Sequence, residues 1–177
     1  RDRCYRLESS YSGCVAPYHG DMGLANCRSA EIDQVIVKDP GPCDPDRVRD
    51  ELQQGSSAVL RSDMVWSLKG AKPRALITIE VERIRKPDAL TQSLLAVPDE
   101  IICTLRARDA DTGASLGTAT GSTKMRMVGN FLLDGSVATS VSHNLQRNRT
   151  RCEEQVSVFE QAGKDIGNCI NDARRKK

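Results

Sequence analysis

Alternation of apolar and polar residues predicts a group of strands in the first two thirds of the chain. The clearest runs from Ala75 to Arg85, where isoleucine and valine alternate with threonine and glutamate. Glu100–Asp109 and Ala114–Ser122 are predicted to pair as a hairpin, because the Asp-Ala-Asp-Thr-Gly sequence between them is typical of a turn. Two shorter strands are predicted at residues 32–38 and 64–68, which are rich in β-branched or aromatic side chains.

Two segments have helical signals. Asp44 followed by Pro45 is typical of a helix N-cap and first turn, and this helix is predicted to end near Arg61. The segment from Cys152 to about Arg174 repeats apolar residues at spacings of three and four, which predicts a helix with one narrow apolar stripe. Residues 137–145 fit a helix or a strand, and the helix is favoured.

These elements predict an α+β (or α/β) fold. We expect a single twisted, mostly antiparallel sheet, with one helix after the first strand and a long C-terminal helix. Residues 31–177 are predicted to form one domain. Residues 1–30 lack a regular period and are rich in Cys, Tyr, Gly and Ser, so they are predicted to form an irregular arm that cysteines attach to that domain.

Composition narrows the possible functions. The chain has 26 basic and 24 acidic residues, and a net charge of +2 argues against a dedicated nucleic-acid-binding protein. It contains only six aromatic residues, too few for a surface that stacks bases or sugars. No apolar run of the roughly 18 residues needed to cross a bilayer is present. The absence of an initiator Met predicts a processed chain.

The seven cysteines favour an oxidising compartment. They lack the paired short spacing of a zinc site, so neither a metal nor another cofactor is expected. Cys103 lies in an apolar strand and is predicted to be the unpaired, buried one. The disulfide candidates are Cys4, Cys14, Cys27, Cys43, Cys152 and Cys169.

Other polar groups have structural explanations that are favoured over catalytic ones. Asp109 and Asp111 could hold calcium or act as an acid–base pair, but turn formation accounts for their spacing. His143 beside Ser140 or Ser142 lacks the sequence context of a nucleophile elbow. No catalytic residue is therefore predicted.

Charged clusters are interpreted in the same way. Glu80 and Glu82 are predicted to lie on a solvated strand edge. The terminal Arg-Arg-Lys-Lys run at 174–177 is predicted to be a solvated helix end that complements the helix dipole, with contact to anionic lipid or nucleic acid as the alternative. Asn148-Arg149-Thr150 is a glycosylation acceptor only if the source is a secreting eukaryote.

The region from Pro73 to Gly121 carries a family resemblance. It combines the strand Ala-Leu-Ile-Thr-Ile-Glu-Val with Leu-Arg-Ala-Arg-Asp-Ala-Asp-Thr-Gly-Ala-Ser-Leu-Gly at 105–117. This resembles bacterial envelope proteins of the CsgG, LpoB and TolB amino-terminal kind, and related uncharacterised periplasmic lipoproteins, over roughly residues 32–145. The resemblance implies a non-enzymatic part of an envelope assembly, a secretion pore or a regulator.

We therefore expect a periplasmic or extracellular structural or accessory subunit, with other envelope proteins or copies of itself as partners. Peripheral membrane association is compatible with this hypothesis. A small-ligand or peptide-binding module is the alternative, with an enzyme as a third and weaker hypothesis. The arm and the last helix are expected to supply the contacts, through Tyr5, Tyr11, Tyr18, Val156, Phe159, Ile166 and Ile170.

Overall fold

The computed structural model describes residues 18–41, 43–67, 69–85, 99–125 and 158–176. Within these ranges lie five strands and two helices. In chain order they are β1 (His19–Asp21), β2 (Ser29–Val37), α1 (Pro45–Ser62), β3 (Arg74–Arg85), β4 (Asp99–Asp109), β5 (Ser115–Met125) and α2 (Val158–Arg175).

The strands form one mixed sheet in the order β1-β5-β4-β3-β2. Only β2 and β3 are parallel, with Val35 opposite Ile79, because α1 carries the chain back between them. The β4–β5 hairpin pairs Leu105 with Ala119. The α+β fold predicted from the sequence is confirmed, with α1 after the first long strand and α2 at the C-terminus.

One face of the sheet and the two helices bury the apolar core. β3 and β4 contribute Ile77, Ile79 and Leu105, all without exposed surface. Fully buried residues of α1 and α2 complete the same cluster: Val48, Leu52, Ile166 and Ile170. Burial of one such side chain stabilises a fold by about 1.5–3 kcal/mol, so this layer holds the helices to the sheet.

The helices lie side by side and run in the same direction, and glycine allows them to approach closely. A Cβ atom at Gly55 would collide with the Glu160 carbonyl oxygen, and one at Gly163 with the Leu52 carbonyl oxygen. Ser56 in the same contact region donates a hydrogen bond from its hydroxyl to the Leu52 carbonyl at 2.7 Å. Small residues thus set the distance between the helix backbones.

Local signals at α1 and at the hairpin are confirmed. Asp44 caps α1, where its Oδ1 accepts from the Asp46 backbone N–H at 3.1 Å. Asp109 Oδ1 accepts from the N–H groups of Asp111 and Thr112 at 2.8 and 2.9 Å. Gly113 has the positive φ, 73°, that this turn requires.

The structure differs from two of the expectations about secondary structure. His19–Asp21, inside the predicted irregular arm, is an edge strand paired with β5. Residues 64–67 form a turn rather than a strand, because the Trp66 indole N–H donates to Asn171 Oδ1 at 2.7 Å and fixes the chain by a tertiary contact. The expectations for 86–98 and 137–145 lie outside the described residues.

Candidate interaction surface

The face of the sheet opposite the helices is mainly polar among the described residues, although Ile36, Leu76 and Ile102 also lie on it, and we call it the polar face. Its residues follow from the strand register, since each residue beside a buried one points to the opposite side. The residues used below are Glu31, Asp33, Arg74, Thr78, Glu80, Thr104, Arg106, Arg108, Thr118 and Thr120. Neither helix covers this side.

Ion pairs connect three neighbouring strands on the polar face. Glu80 on β3 is contacted by Lys38 at 3.2 Å and by Arg106 Nε, on β4, at 3.0 Å. Lys38 also contacts Glu82 at 3.0 Å. Arg108 reaches Asp33 at the irregularity in β2 at 2.8 Å. Arg74 pairs with Glu31 at 3.2 Å, so charges of both signs alternate across the surface.

Mutual contact keeps these groups charged. The hydrogen bonds that the Lys38 ammonium donates to Glu82, and secondly to Glu80, raise its pKa. The same Lys38 contact lowers the pKa of Glu82. Because both groups remain solvent-accessible, their pairing adds little to stability and chiefly fixes a pattern of charge.

Threonines occupy the centre and the β5 side of the polar face. Thr104 pairs across the sheet with Thr120 and with Glu80, while Arg106 pairs with Thr118 and Thr78. Thr78 and Thr104 are only 9% and 8% exposed, because longer side chains surround them. The surface therefore offers charged groups above a layer of hydroxyls.

The prediction that Glu80 and Glu82 lie on a solvated strand edge is wrong in one respect. β3 lies between β2 and β4 instead of at the border of the sheet. Glu80 is paired from both neighbouring sides, and its side chain is 13% exposed. Strand order depends on long-range pairing, which the local sequence pattern does not specify.

Cys103 is a free, fully buried thiol, as predicted. Burial raises its pKa to about 12, although a hydrogen bond with Tyr18 acts in the opposite direction. The Tyr18 hydroxyl also lies 3.4 Å from Thr123 Oγ1. Such a thiol is not a nucleophile at neutral pH.

The remaining described cysteines occupy different environments. Cys27 is buried with a free thiol, so the structure does not place it in the predicted disulfide; burial, and secondly the Asp109 carboxylate, raise its pKa. Cys169 on α2 is disulfide-bonded. Cys43 is half-buried at the end of the loop before α1, directly before the Asp44 cap. The candidates Cys4, Cys14 and Cys152 lie outside the described residues.

The apolar residues predicted to contact a partner are instead part of the protein's own interior. Ile166 and Ile170 have no exposed surface, and Phe159 packs against the same core beside Arg47. Tyr18 also packs against the core. The periodic stripe was correctly identified, but it faces α1 and the sheet. Tyr5, Tyr11 and Val156 lie outside the described residues.

The structure shows the surroundings of those candidate catalytic and metal-binding residues that lie in its described part. Asp109 forms the hairpin turn, and donation from the Thr112 and Asp111 N–H groups lowers its pKa. No group of three metal-ligating side chains occurs in the described part of the chain. Ser140, Ser142, His143 and the 148–150 triplet lie outside it. None of the described helices is long and apolar enough to cross a bilayer.

The basic end of the last helix is more ordered than predicted. Arg174 Nε donates to the Cys27 carbonyl at 2.7 Å, and its guanidinium lies 5.9 Å from the Trp66 ring centre. Arg175 contacts Asp63 at 2.6 Å.

One surface residue was missed by sequence reasoning: Met64 is 97% exposed, and a lone methionine beside a helix end has no distinctive sequence signal.

Comparison with known proteins yields a remote structural likeness. No family model matches the sequence, and no curated protein matches it. A PelC dodecamer from Paraburkholderia phytofirmans has a TM-score of 0.42 and 14% identity, covering 80% of this chain and 98% of that chain. A second PelC dodecamer structure from that organism, also at TM-score 0.42 and 14% identity, covers 63% and 84%. We draw no functional conclusion from a likeness this distant.

Proposed function

We propose that the protein is an exported, non-enzymatic accessory subunit of a cell-envelope assembly, and that the polar face is its contact surface. The observation that carries the proposal is the array of paired, half-accessible charges spread over β2, β3 and β4. Export is supported by the cysteine content and by the family resemblance over residues 32–145.

The charge pattern suits recognition better than stability. Exposed pairs of this kind contribute about 0–1 kcal/mol each to folding. Fixed charges of alternating sign, in contrast, select a complementary partner and penalise a wrong register. Lys38, Arg106 and Arg108 side chains retain 44–54% exposure, so a partner can reach them.

The adjacent edge of the sheet is less suited to association. β2 is an edge strand, but its pairing is interrupted between Ile32 and Gln34. An irregularity of this type bends the strand and disfavours addition of another strand. Lys38, directly after β2, adds a charge at its end. Contact through the face is therefore favoured over contact through the edge.

Charge reversal tests the surface. Arg106→Glu places like charges beside Glu80, and we expect it to abolish or strongly reduce association while leaving the fold intact. Arg49→Glu is the matched control, since Arg49 is a similarly exposed, ion-paired arginine on α1, 46% against 54%. The measurement is light scattering coupled to gel filtration, with circular dichroism to verify folding.

A double variant sharpens the result. Glu80→Arg combined with Arg106→Glu restores an attractive pair within the chain but changes the outward pattern of charge. We expect it to fold normally and still fail to join the native assembly. Unchanged association of Arg106→Glu would refute the polar face as the contact. A monomer under every condition would favour the ligand- or peptide-binding module instead.

A further inference from the structure

Met64 is presented on a fixed turn at the end of the molecule where both helices terminate. Asp63 holds this turn, because its Oδ1 accepts from the Val65 N–H at 2.8 Å. Its Oδ2 accepts from Arg175 at 2.6 Å and from Asn171 Nδ2 at 3.1 Å. A large apolar side chain that is 97% exposed on such a restrained turn has no partner among the residues that the structure describes.

Unpaired cations lie at the same end of the molecule. They come from three parts of the chain. Arg28 directly precedes β2, Arg61 and Lys69 lie in the last turn of α1 and the loop after it, and Lys176 directly follows α2. All four are exposed, and no described carboxylate forms an ion pair with any of them. We call these four residues together with Met64 the basic pole.

One backbone hydrogen bond and one side-chain ion pair bring these segments together. The Ser67 N–H donates to the Arg28 carbonyl at 2.7 Å, which joins the loop after α1 to the segment before β2. Arg175 binds Asp63, which joins the end of α2 to the end of α1. Arg61 lies in the last turn of α1, and Lys176 follows α2 directly.

Nearby carboxylates do not neutralise the basic pole, because they are already paired with cations that are not part of it. Arg175 engages Asp63 at 2.6 Å and Asp172 at 3.0 Å, and Lys72 engages Asp111 at 3.3 Å. The negative ends of the helix dipoles account for cations at Arg61 and Arg175. They do not account for Arg28 and Lys69, which lie outside the helices, or for the exposure of Met64.

We propose that the basic pole docks the protein on an anionic phospholipid surface. Cations near such a surface are attracted electrostatically, and an exposed apolar side chain inserts between headgroups. Met64 favours lipid over nucleic acid, because phosphate contacts alone would not use it. The pole is separate from the polar face, so this inference stands independently of the proposed function. Several copies in one assembly would strengthen attachment through avidity.

Vesicle sedimentation tests the proposal with the full chain. We expect binding to vesicles of phosphatidylcholine mixed with phosphatidylglycerol, loss of binding at high salt, and no binding to phosphatidylcholine alone. Arg61→Glu combined with Lys69→Glu should weaken binding by at least roughly tenfold. Met64→Ser should weaken it by a smaller factor that persists at intermediate salt.

Matched controls separate the pole from general charge and hydrophobicity. Arg49→Glu changes an exposed arginine on the N-terminal half of α1, and Ile36→Ser, on the polar face, changes the other large apolar residue that is exposed in the described part of the chain, 38% exposed. Compared as isolated subunits, both should bind mixed vesicles like the wild type. Equal binding of the Arg61/Lys69 variant, or no wild-type binding to mixed vesicles, would overturn the proposal. Binding to a labelled oligonucleotide in place of vesicles would assign the pole to nucleic acid.

Loss of vesicle binding is distinguishable from loss of assembly. The pole variants leave Glu80 and Arg106 unchanged, so their native mass should equal that of the wild type. Arg106→Glu should retain the vesicle binding of an isolated subunit, although it loses the avidity of an assembly.

Discussion

Burial determines the chemistry of individual side chains in this protein. Asp165 on α2 is the clearest case, because desolvation raises the pKa of its carboxyl while the Gln161 side chain only partly opposes this. Its Oδ1 atom is buried without a hydrogen-bond partner. A carboxylate in this position costs stability whenever it is ionised.

Replacement of Asp165 by Asn should therefore stabilise the fold at pH 7. The pKa is higher in the folded state than in the unfolded state, so the penalty is present above the folded pKa and disappears below the unfolded value of 3.8. The gain should be small, because partial solvent access reduces the penalty. Urea unfolding at pH 7 and pH 3.5 measures it, and an equal gain at both values would contradict this explanation.

Cys103 should be inert in the folded protein. With the pKa raised to about 12 by burial, almost none of the thiol is ionised at pH 8. Ellman's reagent should modify Cys103 only after unfolding in guanidinium, as assigned by peptide mass mapping. Reaction of the native protein at Cys103, at the rate of an exposed thiol, would show that the buried environment is incorrect.

At the level of secondary-structure elements, the contact between the two helices is the main determinant of packing. Gly163 would gain helix propensity of roughly 1 kcal/mol on replacement by Ala. Its Cβ would nevertheless meet the Leu52 carbonyl oxygen and lie 3.0 Å from the Ser56 backbone nitrogen. Packing and intrinsic propensity therefore act in opposite directions at this position.

Gly163→Ala should destabilise the protein by about 1–3 kcal/mol, because the overpacked contact outweighs the gain in propensity. Thermal unfolding followed by circular dichroism measures the effect. Gln54→Ala, at an exposed position of α1, serves as the control and should change stability little. A Gly163→Ala variant more stable than the wild type would mean that the helices do not pack this closely.

A hydrogen-bonded connection attaches the end of α2 to the turn after α1. Asn171 accepts from the Trp66 indole at 2.7 Å and donates to Asp63 at 3.1 Å, with no exposed surface of its own. Asn171→Ala leaves a buried indole N–H unsatisfied, so we expect a loss of about 1–3 kcal/mol. Asn26→Ala at an exposed site is the control, and comparable unfolding midpoints for the two variants would contradict this role.

Sequence patterns predicted which segments form helices and strands better than they predicted which elements pack against each other. The β4–β5 hairpin and the Asp44 cap are encoded within a few residues, and both were found. His19–Asp21 has no alternation, and its strand exists only because β5 provides hydrogen bonds. The apolar stripe of α2 was visible in the sequence, but its partner, the glycine-containing surface of α1, was not.

At the level of the whole molecule, the candidate surfaces also depend on long-range contacts that the local sequence does not specify. The polar face is formed by residues from four strands whose order depends on long-range pairing, so the sequence suggested only isolated charges at Glu80 and Glu82. The basic pole similarly joins the ends of both helices with Arg28. Surfaces of this kind become visible only after the chain has folded.

The most direct test of the proposed function is the native mass of the protein, extracted gently from its source and measured before and after reduction. We predict a mass well above the 19.4 kDa of one chain, reduced to that of a monomer by Arg106→Glu but not by Arg49→Glu. A wild-type protein that is monomeric under both conditions would contradict the assignment as an assembly subunit.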